Sequence, residues 1–150
     1  MTLLQGLAVT SPGEDIARRI TFVFIGGGVQ FGKLEREVLQ RRLTNVRMYP
    51  YQARERLAEI LGVADLHMVS LNPKLEGLMV PSKFYGIAAS GRPTLFIGAE
   101  DGGIARLIDK AACGFTVAPG DGRALVERVI QLVGDPELCA SMGRARPRGL

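Results

Sequence analysis

At 150 residues, 47% hydrophobic and 23% charged, the chain has the composition of one globular domain with enough apolar content to bury a core. No stretch approaches about 18 uninterrupted apolar residues, which excludes a recognisable membrane helix. Its two cysteines, Cys113 and Cys139, lie outside any Cys/His spacing, so neither a disulfide framework nor a zinc site is indicated. The net charge of +4 is mild, its cations are spread along the chain, and aromatics make up 6%, a pattern that does not point to nucleic acid.

The segment Met1–Asp15 lacks the basic start and apolar run of a secretory signal, and a reducing, cytoplasmic setting is expected. Thr21–Gly26 is a compact apolar run that reads as a strand, closed by Gly26, Gly27 and Gly28. From Val29 to Leu43, Phe31, Leu34, Val38 and Leu39 recur at helical spacing. Asn45–Tyr49 reads as a second strand, Arg54–Leu61 as a helix, and Asp65–Leu71 as a third strand. After a long connection, a helix is predicted over Phe84–Ser90, stopped by Gly91 and Pro93. Pro93–Gly98 and Gly114–Ala118 read as strands around a helix over Gly103–Lys110. An amphipathic helix over Asp121–Val133 follows, and Asp135-Pro136 starts a last one. Five short strands separated by helices predict a doubly wound parallel α/β sheet, Rossmann-like in its alternation.

Ten of the nineteen glycines lie just after predicted strands, among them Gly26, Gly27, Gly28, Gly77, Gly98, Gly102 and Gly103. Open α/β sheets bind ligands at the carboxyl ends of their strands, where backbone NH groups approach a ligand closely if side chains are absent. The glycines therefore point to a ligand edge suited to an anion at a helix N-terminus. Ordinary turn chemistry is the competing explanation.

Gly27 to Leu34 nearly matches the phosphate-binding loop G-x-x-x-x-G-K-[ST], but Leu34 replaces the hydroxyl residue that holds magnesium and Phe31 is bulky. His67 is the single histidine and lies inside a predicted strand, where a hydrogen-bonded core role outweighs catalysis. The segment from Leu75 to Tyr85 carries more chemistry. Glu76 and Gly77 follow the third strand, and Pro81, Ser82 and Lys83 mark a helix start whose free NH groups and positive charge suit phosphate.

The order Glu76-Gly77, Val80-Pro81-Ser82-Lys83-Phe84-Tyr85, Ala89-Ser90-Gly91-Arg92-Pro93-Thr94, Asp101-Gly102-Gly103 and Gly114 to Asp121 resembles the C-terminal domain of GT-B glycosyltransferases. More narrowly, it is similar to the retaining group 1, or family 4, enzymes of bacterial polysaccharide and lipopolysaccharide assembly. Phe24 to Gly28 and Asn45 to Tyr49 match that domain's earlier strands, so the resemblance runs from about Thr21 to Met142.

The resemblance implies hexosyl transfer from a nucleoside-diphosphate sugar, with this chain as the donor-binding part. It places Tyr49 and Tyr51 near the base, and Glu76 and Gly77 near the donor sugar and phosphates. Gly26, Gly27, Gly28, Ser82, Gly102 and Gly103 would complete the donor site, with Glu76 and Lys83 in the catalytic roles. No metal motif is visible, and the nucleotide sugar is expected as substrate with no cofactor. The family places a second glutamate eight positions after the first, near the ribose; here that position is Phe84, and counting back from Gly91 reaches Gly86. Met1–Ile20 shows no counterpart of the strand and glycine loop that carry the family's Arg/Lys pair. One donor-binding domain over 1–150 is thus expected, without that strand-loop and without the acceptor domain, which a separate chain could supply. The isolated chain is expected to be inactive. Arg144, Arg146 and Arg148 read as a solvated tail, with peripheral contact to an anionic membrane as the sharper reading. The alternative function is a non-catalytic nucleotide-binding or scaffold module.

Overall fold

A computed structural model describes residues 18–72, Lys74 and 82–147, with the side chains of Ser82 and Lys83 outside that description. In chain order the elements are β1 (Phe22–Gly26), α1 (Val29–Gln40), β2 (Val46–Pro50), a 3-10 turn (Arg54–Arg56), α2 (Leu57–Val63), β3 (His67–Ser70), α3 (Ser82–Ala89), β4 (Thr94–Ile97), α4 (Gly103–Ala111), β5 (Gly114–Val117), α5 (Gly122–Gly134) and α6 (Pro136–Arg144). The alternation is that of a Rossmann-like α/β fold, and every strand pairing is parallel.

Local chemistry sets most boundaries. Gly28 enters α1 at φ 87°, a backbone conformation only glycine adopts cheaply. The apolar spacing continues to Leu43, yet α1 stops at Gln40 because Arg42 turns into the left-handed region at φ 52°. Asp121 and Asp135 cap α5 and α6, their carboxylates accepting from the NH groups of Ala124 and Leu138 at 2.9 Å. Pro136 occupies the first turn of α6, where its missing NH costs nothing.

Among the described residues the strands form two hydrogen-bonded groups, β1–β2 and β3–β4–β5. Phe22 pairs with Val46, His67 with Thr94, and Thr94 with Gly114. On one face, Val38 of α1 and Leu125 and Val129 of α5 cover Phe22, Val46, Leu95 and Val117; Ile20 and Met68 pack into both clusters and join the two groups. On the other face, Val69, Leu71 and Phe96 pack under α3 and α4, with Leu61 of α2 against the same cluster. Parallel crossovers are right-handed. Because α1 and α2 cover opposite faces, the path from β2 to β3 runs back past β1. The order of the described strands is therefore β2, β1, β3, β4, β5, with no described pairing between β1 and β3.

Close approaches explain two glycines in the ladder. A Cβ on Gly114 would lie within van der Waals overlap of the Thr94 carbonyl oxygen, so β4 and β5 can pair this closely only with glycine there. A Cβ on Gly143 would collide with the Gly91 carbonyl, which seats α6 against the turn before β4.

Candidate functional site

The strand ends define the site. The carboxyl ends of β1, β2, β4 and β5 lead into Gly27-Gly28, Tyr51, Gly98 to Gly103, and Ala118 to Asp121. Gly28, Tyr51 and Gly103 thus share the rim where doubly wound sheets bind ligands. Glu76, Gly77 and Pro81 lie outside the described residues. Ser82 and Lys83 open α3 on the same side of β3, but their side chains lie outside the description.

The rim glycines differ in what holds them small. A Cβ on Gly98 would meet the Phe96 ring at 2.3 Å, so packing alone requires this glycine. Gly27 lies under Tyr51, with 3.0 Å from a built Cβ to the ring edge, and Gly26 faces Phe31 and Tyr51 at 3.7 and 3.9 Å. Gly103 is different: a Cβ there would meet nothing within 4 Å and its φ is unremarkable. It begins α4, and no side chain caps that helix, with Gly102 at the cap position. The NH groups of the first turn are therefore left to solvent or to a ligand.

Tyr51 lays its ring on the Gly26–Gly27 backbone yet is 78% exposed, leaving most of the side chain accessible. Tyr49, at the end of β2, is 48% exposed. On one rim, exposed aromatic rings can stack a heterocycle and an uncapped helix start can meet an anion. Two acidic residues oppose that anion, since Glu100 and Asp101 are exposed immediately before Gly102.

Several residues singled out by sequence turn out to be structural. The near-match to a phosphate loop is not a loop, because α1 is already helical at Val29 and Lys33 sits exposed within it. The His67 ring lies within hydrogen-bond distance of the Leu61 carbonyl, 2.8 Å from Nε2, and ties the end of α2 to β3. Burial pushes its pKa down, a shift the hydrogen bond opposes and the nearby Arg92 guanidinium reinforces. Arg92 itself donates to the Gly62 carbonyl at 2.8 Å. Cys113 is buried and Cys139 half-buried; neither forms a disulfide, the Cys139 thiol donates to the Asp65 carbonyl at 3.6 Å, and burial pushes both pKa values up, the opposite of a reactive thiolate. Among the described residues, no group of His, Cys, Asp and Glu could hold a metal ion. None of the described helices is long and apolar enough to cross a membrane.

Neither position reached by counting for a second glutamate offers a carboxylate to the rim. Phe84 is fully buried in the core beneath β3 and β4, and Gly86 faces Leu61 with 3.4 Å from a built Cβ. A carboxylate at position 84 would be buried among apolar side chains rather than offered to a ribose. The described residues also line a shallow depression formed by α6 and its cap, including Asp135, Ser141 and Arg144, which lies away from the rim.

Comparison with known proteins agrees with this architecture. The chain is 30% identical over 117 residues to the probable glycosyltransferase WbjE of Pseudomonas aeruginosa, an alignment covering 76% of this chain and 28% of that protein. Among solved structures it is similar to WaaG, a glycosyltransferase involved in lipopolysaccharide biosynthesis, with a TM-score of 0.74 at 20% identity over 97% of this chain and 37% of the other. The Anabaena protein HepE in complex with UDP-glucose aligns at a TM-score of 0.72 and 18% identity, covering 96% of this chain and 38% of HepE. The chain thus spans roughly a third of the length of these proteins. The family model for glycosyl transferases group 1 matches residues 12–148, nearly the whole chain, and the chain belongs to that family.

Proposed function

We propose that this chain is the donor-binding part of a glycosyltransferase that moves a hexosyl group from a nucleoside-diphosphate sugar in bacterial polysaccharide or lipopolysaccharide assembly. The observation that carries the reading is the uncapped, glycine-opened start of α4 on the same carboxyl rim as Tyr51, within a chain of the group 1 family. A neighbour of the same fold is known in complex with UDP-glucose. In the reaction, the bond from the sugar C1 to the phosphate oxygen breaks with its electron pair going to the departing diphosphate, an acceptor hydroxyl oxygen bonds C1, and the hydroxyl proton passes to that diphosphate. The protein's main task is to stabilise the departing diphosphate. The first-turn NH groups of α4, and Ser82 and Lys83 at the start of α3, would meet that charge, which Glu100 and Asp101 oppose. Glu76 and Gly77 would orient the sugar, Tyr49 and Tyr51 the base, and Gly26 to Gly28 the backbone approach. The nucleotide sugar enters as substrate, and no cofactor is assigned to the reaction.

An acceptor domain would close the cleft. Proximity and exclusion of water supply about 7–11 kcal/mol of such a barrier, so the chain alone should leave a bound donor unreacted. We place it in the cytoplasm, with the exposed Arg144 and Arg146 available for contact with an anionic membrane face.

The burial of Phe84 favours a second reading, a nucleotide-binding module that has lost the reaction, because it removes a carboxylate from the ribose contact. Calorimetric titration of UDP, GDP, ADP and uridine separates the outcomes. A charge-assisted phosphate contact is worth about 1.5–3 kcal/mol. Lys83→Ala should therefore weaken diphosphate binding by about 10- to 150-fold while leaving uridine unchanged. Equal losses for UDP and uridine would show that Lys83 acts through folding, and no binding of any nucleotide would refute both readings. Donor consumption by the purified chain, with Glu76→Gln as control, tests the expected inactivity.

A further inference from the structure

The loop that carries Tyr51 is held by a chain of side-chain contacts. Tyr51, Gln52 and Ala53 lie between the end of β2 at Pro50 and the 3-10 turn that begins at Arg54. The Gln52 carboxamide donates from Nε2 to the Pro50 carbonyl at 3.0 Å, so this side chain reaches back across Tyr51. Its oxygen accepts from the Arg56 guanidinium at 3.2 Å. Arg56 in turn donates from Nε and Nη2 to the two Glu59 oxygens at 3.1 and 3.2 Å, the forked geometry that suits a carboxylate. That hydrogen bonding holds the Glu59 pKa down and the Arg56 pKa up, so both stay charged. A single orientation of the carboxamide serves both neighbours, because a flipped amide would turn its oxygen to a carbonyl and its NH2 to a guanidinium.

Stability does not account for these contacts. Arg56 and Glu59 are exposed and Gln52 is half-buried. Exposed ion pairs add little to folding, and ordering long side chains costs entropy. The Arg56–Glu59 pair supports the start of α2 by itself; its extension to Gln52 and Pro50 adds nothing to that helix. What the extension does fix is the backbone on both sides of Tyr51. The Tyr51 ring rests on the Gly26–Gly27 backbone and is otherwise open to solvent. A ring with so little packing takes its position from the backbone that carries it.

We infer that Gln52 is a positioning residue for nucleotide recognition: seated by Arg56 and Glu59, it fixes the Tyr51 loop so that the ring is in place on the rim before the base of a nucleoside diphosphate arrives. This role rests on the donor-site reading above and adds to it the residue that preorganises the base contact. Preorganisation removes the cost of ordering the ring during binding. The Gln52 carboxamide is engaged at both ends, so it acts through Tyr51 rather than on the nucleotide.

The test uses the full chain, titrated calorimetrically with UDP and with inorganic pyrophosphate. A second readout is the fluorine spectrum of the chain with fluorotyrosine at its three tyrosines, the Tyr51 line being assigned through Tyr51→Phe. Gln52→Ala should weaken UDP binding by about 2- to 10-fold, the range for ordering one side chain on binding. It should also move the Tyr51 resonance toward that of free fluorotyrosine and leave Tm and pyrophosphate binding unchanged. Gln52→Glu keeps an acceptor for Arg56 but cannot donate to Pro50, and should match the alanine variant. In a Tyr51→Ala background, Gln52→Ala should have no further effect on UDP, because the residue works through the ring. Unchanged UDP affinity in Gln52→Ala, no loss in Gln52→Glu, or a further loss in the Tyr51→Ala background each overturns the role while leaving the donor site standing. A lower Tm with equal losses for UDP and pyrophosphate would assign the contacts to folding and also overturn it. Absence of UDP binding by the unsubstituted chain would overturn the donor-site reading and this role together.

Discussion

Gly98 sits on the proposed ligand rim but is held small by Phe96, and this can be tested by forcing the two apart. The residues lie two apart along β4 and its continuation, so they share a face of the sheet. A Cβ on Gly98 would stand 2.3 Å from Phe96 Cζ and 2.6 Å from Cε1. The ring cannot swing away freely, because Phe96 is fully buried in the cluster with Val69, Phe84 and Ile104. Overpacking of this kind costs about 1–3 kcal/mol. Replacing glycine returns about 0.4–1 kcal/mol through the unfolded chain. Gly98→Ala should therefore destabilise by about 1–2 kcal/mol, a fall of about 2–8 °C in Tm for a chain of this size. Phe96→Leu alone should cost part of the roughly 3–5 kcal/mol of a full truncation to alanine. In the double variant the smaller side chain leaves room for the new methyl, so the two losses should not add. The shortfall should be about 1 kcal/mol, within the usual range for residues in contact. Urea unfolding followed by circular dichroism gives all four corners of the cycle. Additivity within about 0.5 kcal/mol would refute steric exclusion as the reason for Gly98 and return it to the ligand-facing glycines.

Other expectations follow from particular side chains. Ala112 closes α4 in the left-handed region at φ 53°, so Ala112→Gly should stabilise by about 0.5–1 kcal/mol despite adding a glycine, and a lower Tm would contradict this. The His67 pKa is lowered in the folded chain, so the unfolded state takes up the proton first as pH falls. Its stabilising contribution should be complete above the unfolded value near 6.5 and decline below it, and His67→Gln should flatten that dependence in urea midpoints measured across this range. Gly27→Ala should displace the Tyr51 ring and weaken UDP binding with little change in stability; unchanged affinity in calorimetry would remove Tyr51 from the base contact. Asp121→Ala should cost about 1 kcal/mol by leaving the Ala124 NH uncapped, and an unchanged Tm would contradict that.

Much of the fold was legible in local pattern. The apolar runs at β1, β4 and β5, the Asp121 cap and the Asp135-Pro136 start each depend on neighbours within a few residues, and all fall within a residue or two of the predicted bounds. The resemblance to group 1 glycosyltransferases was legible for a similar reason, since ordered short strings survive in sequence even where overall identity to solved structures is about 20%. The candidate site was readable as glycines after strands, but their individual roles were not.

The amino-acid sequence by itself determined which segments become strands and helices, where they start, and which residues face a core, because propensity, capping and periodicity act over one or two turns of chain. Tertiary structure alone decided which strands meet. Among the described residues it paired β1 with β2 and β3 with β4 and β5, since parallel pairing joins residues that periodicity does not relate. It ended α1 at Gln40 although apolar spacing continued to Leu43. It buried Phe84 where a carboxylate was sought, and it gave Gly98 and Gly103 different reasons for being glycine. Each decision depends on what lies across the fold from the residue, and that neighbour is set by packing of distant segments against one another.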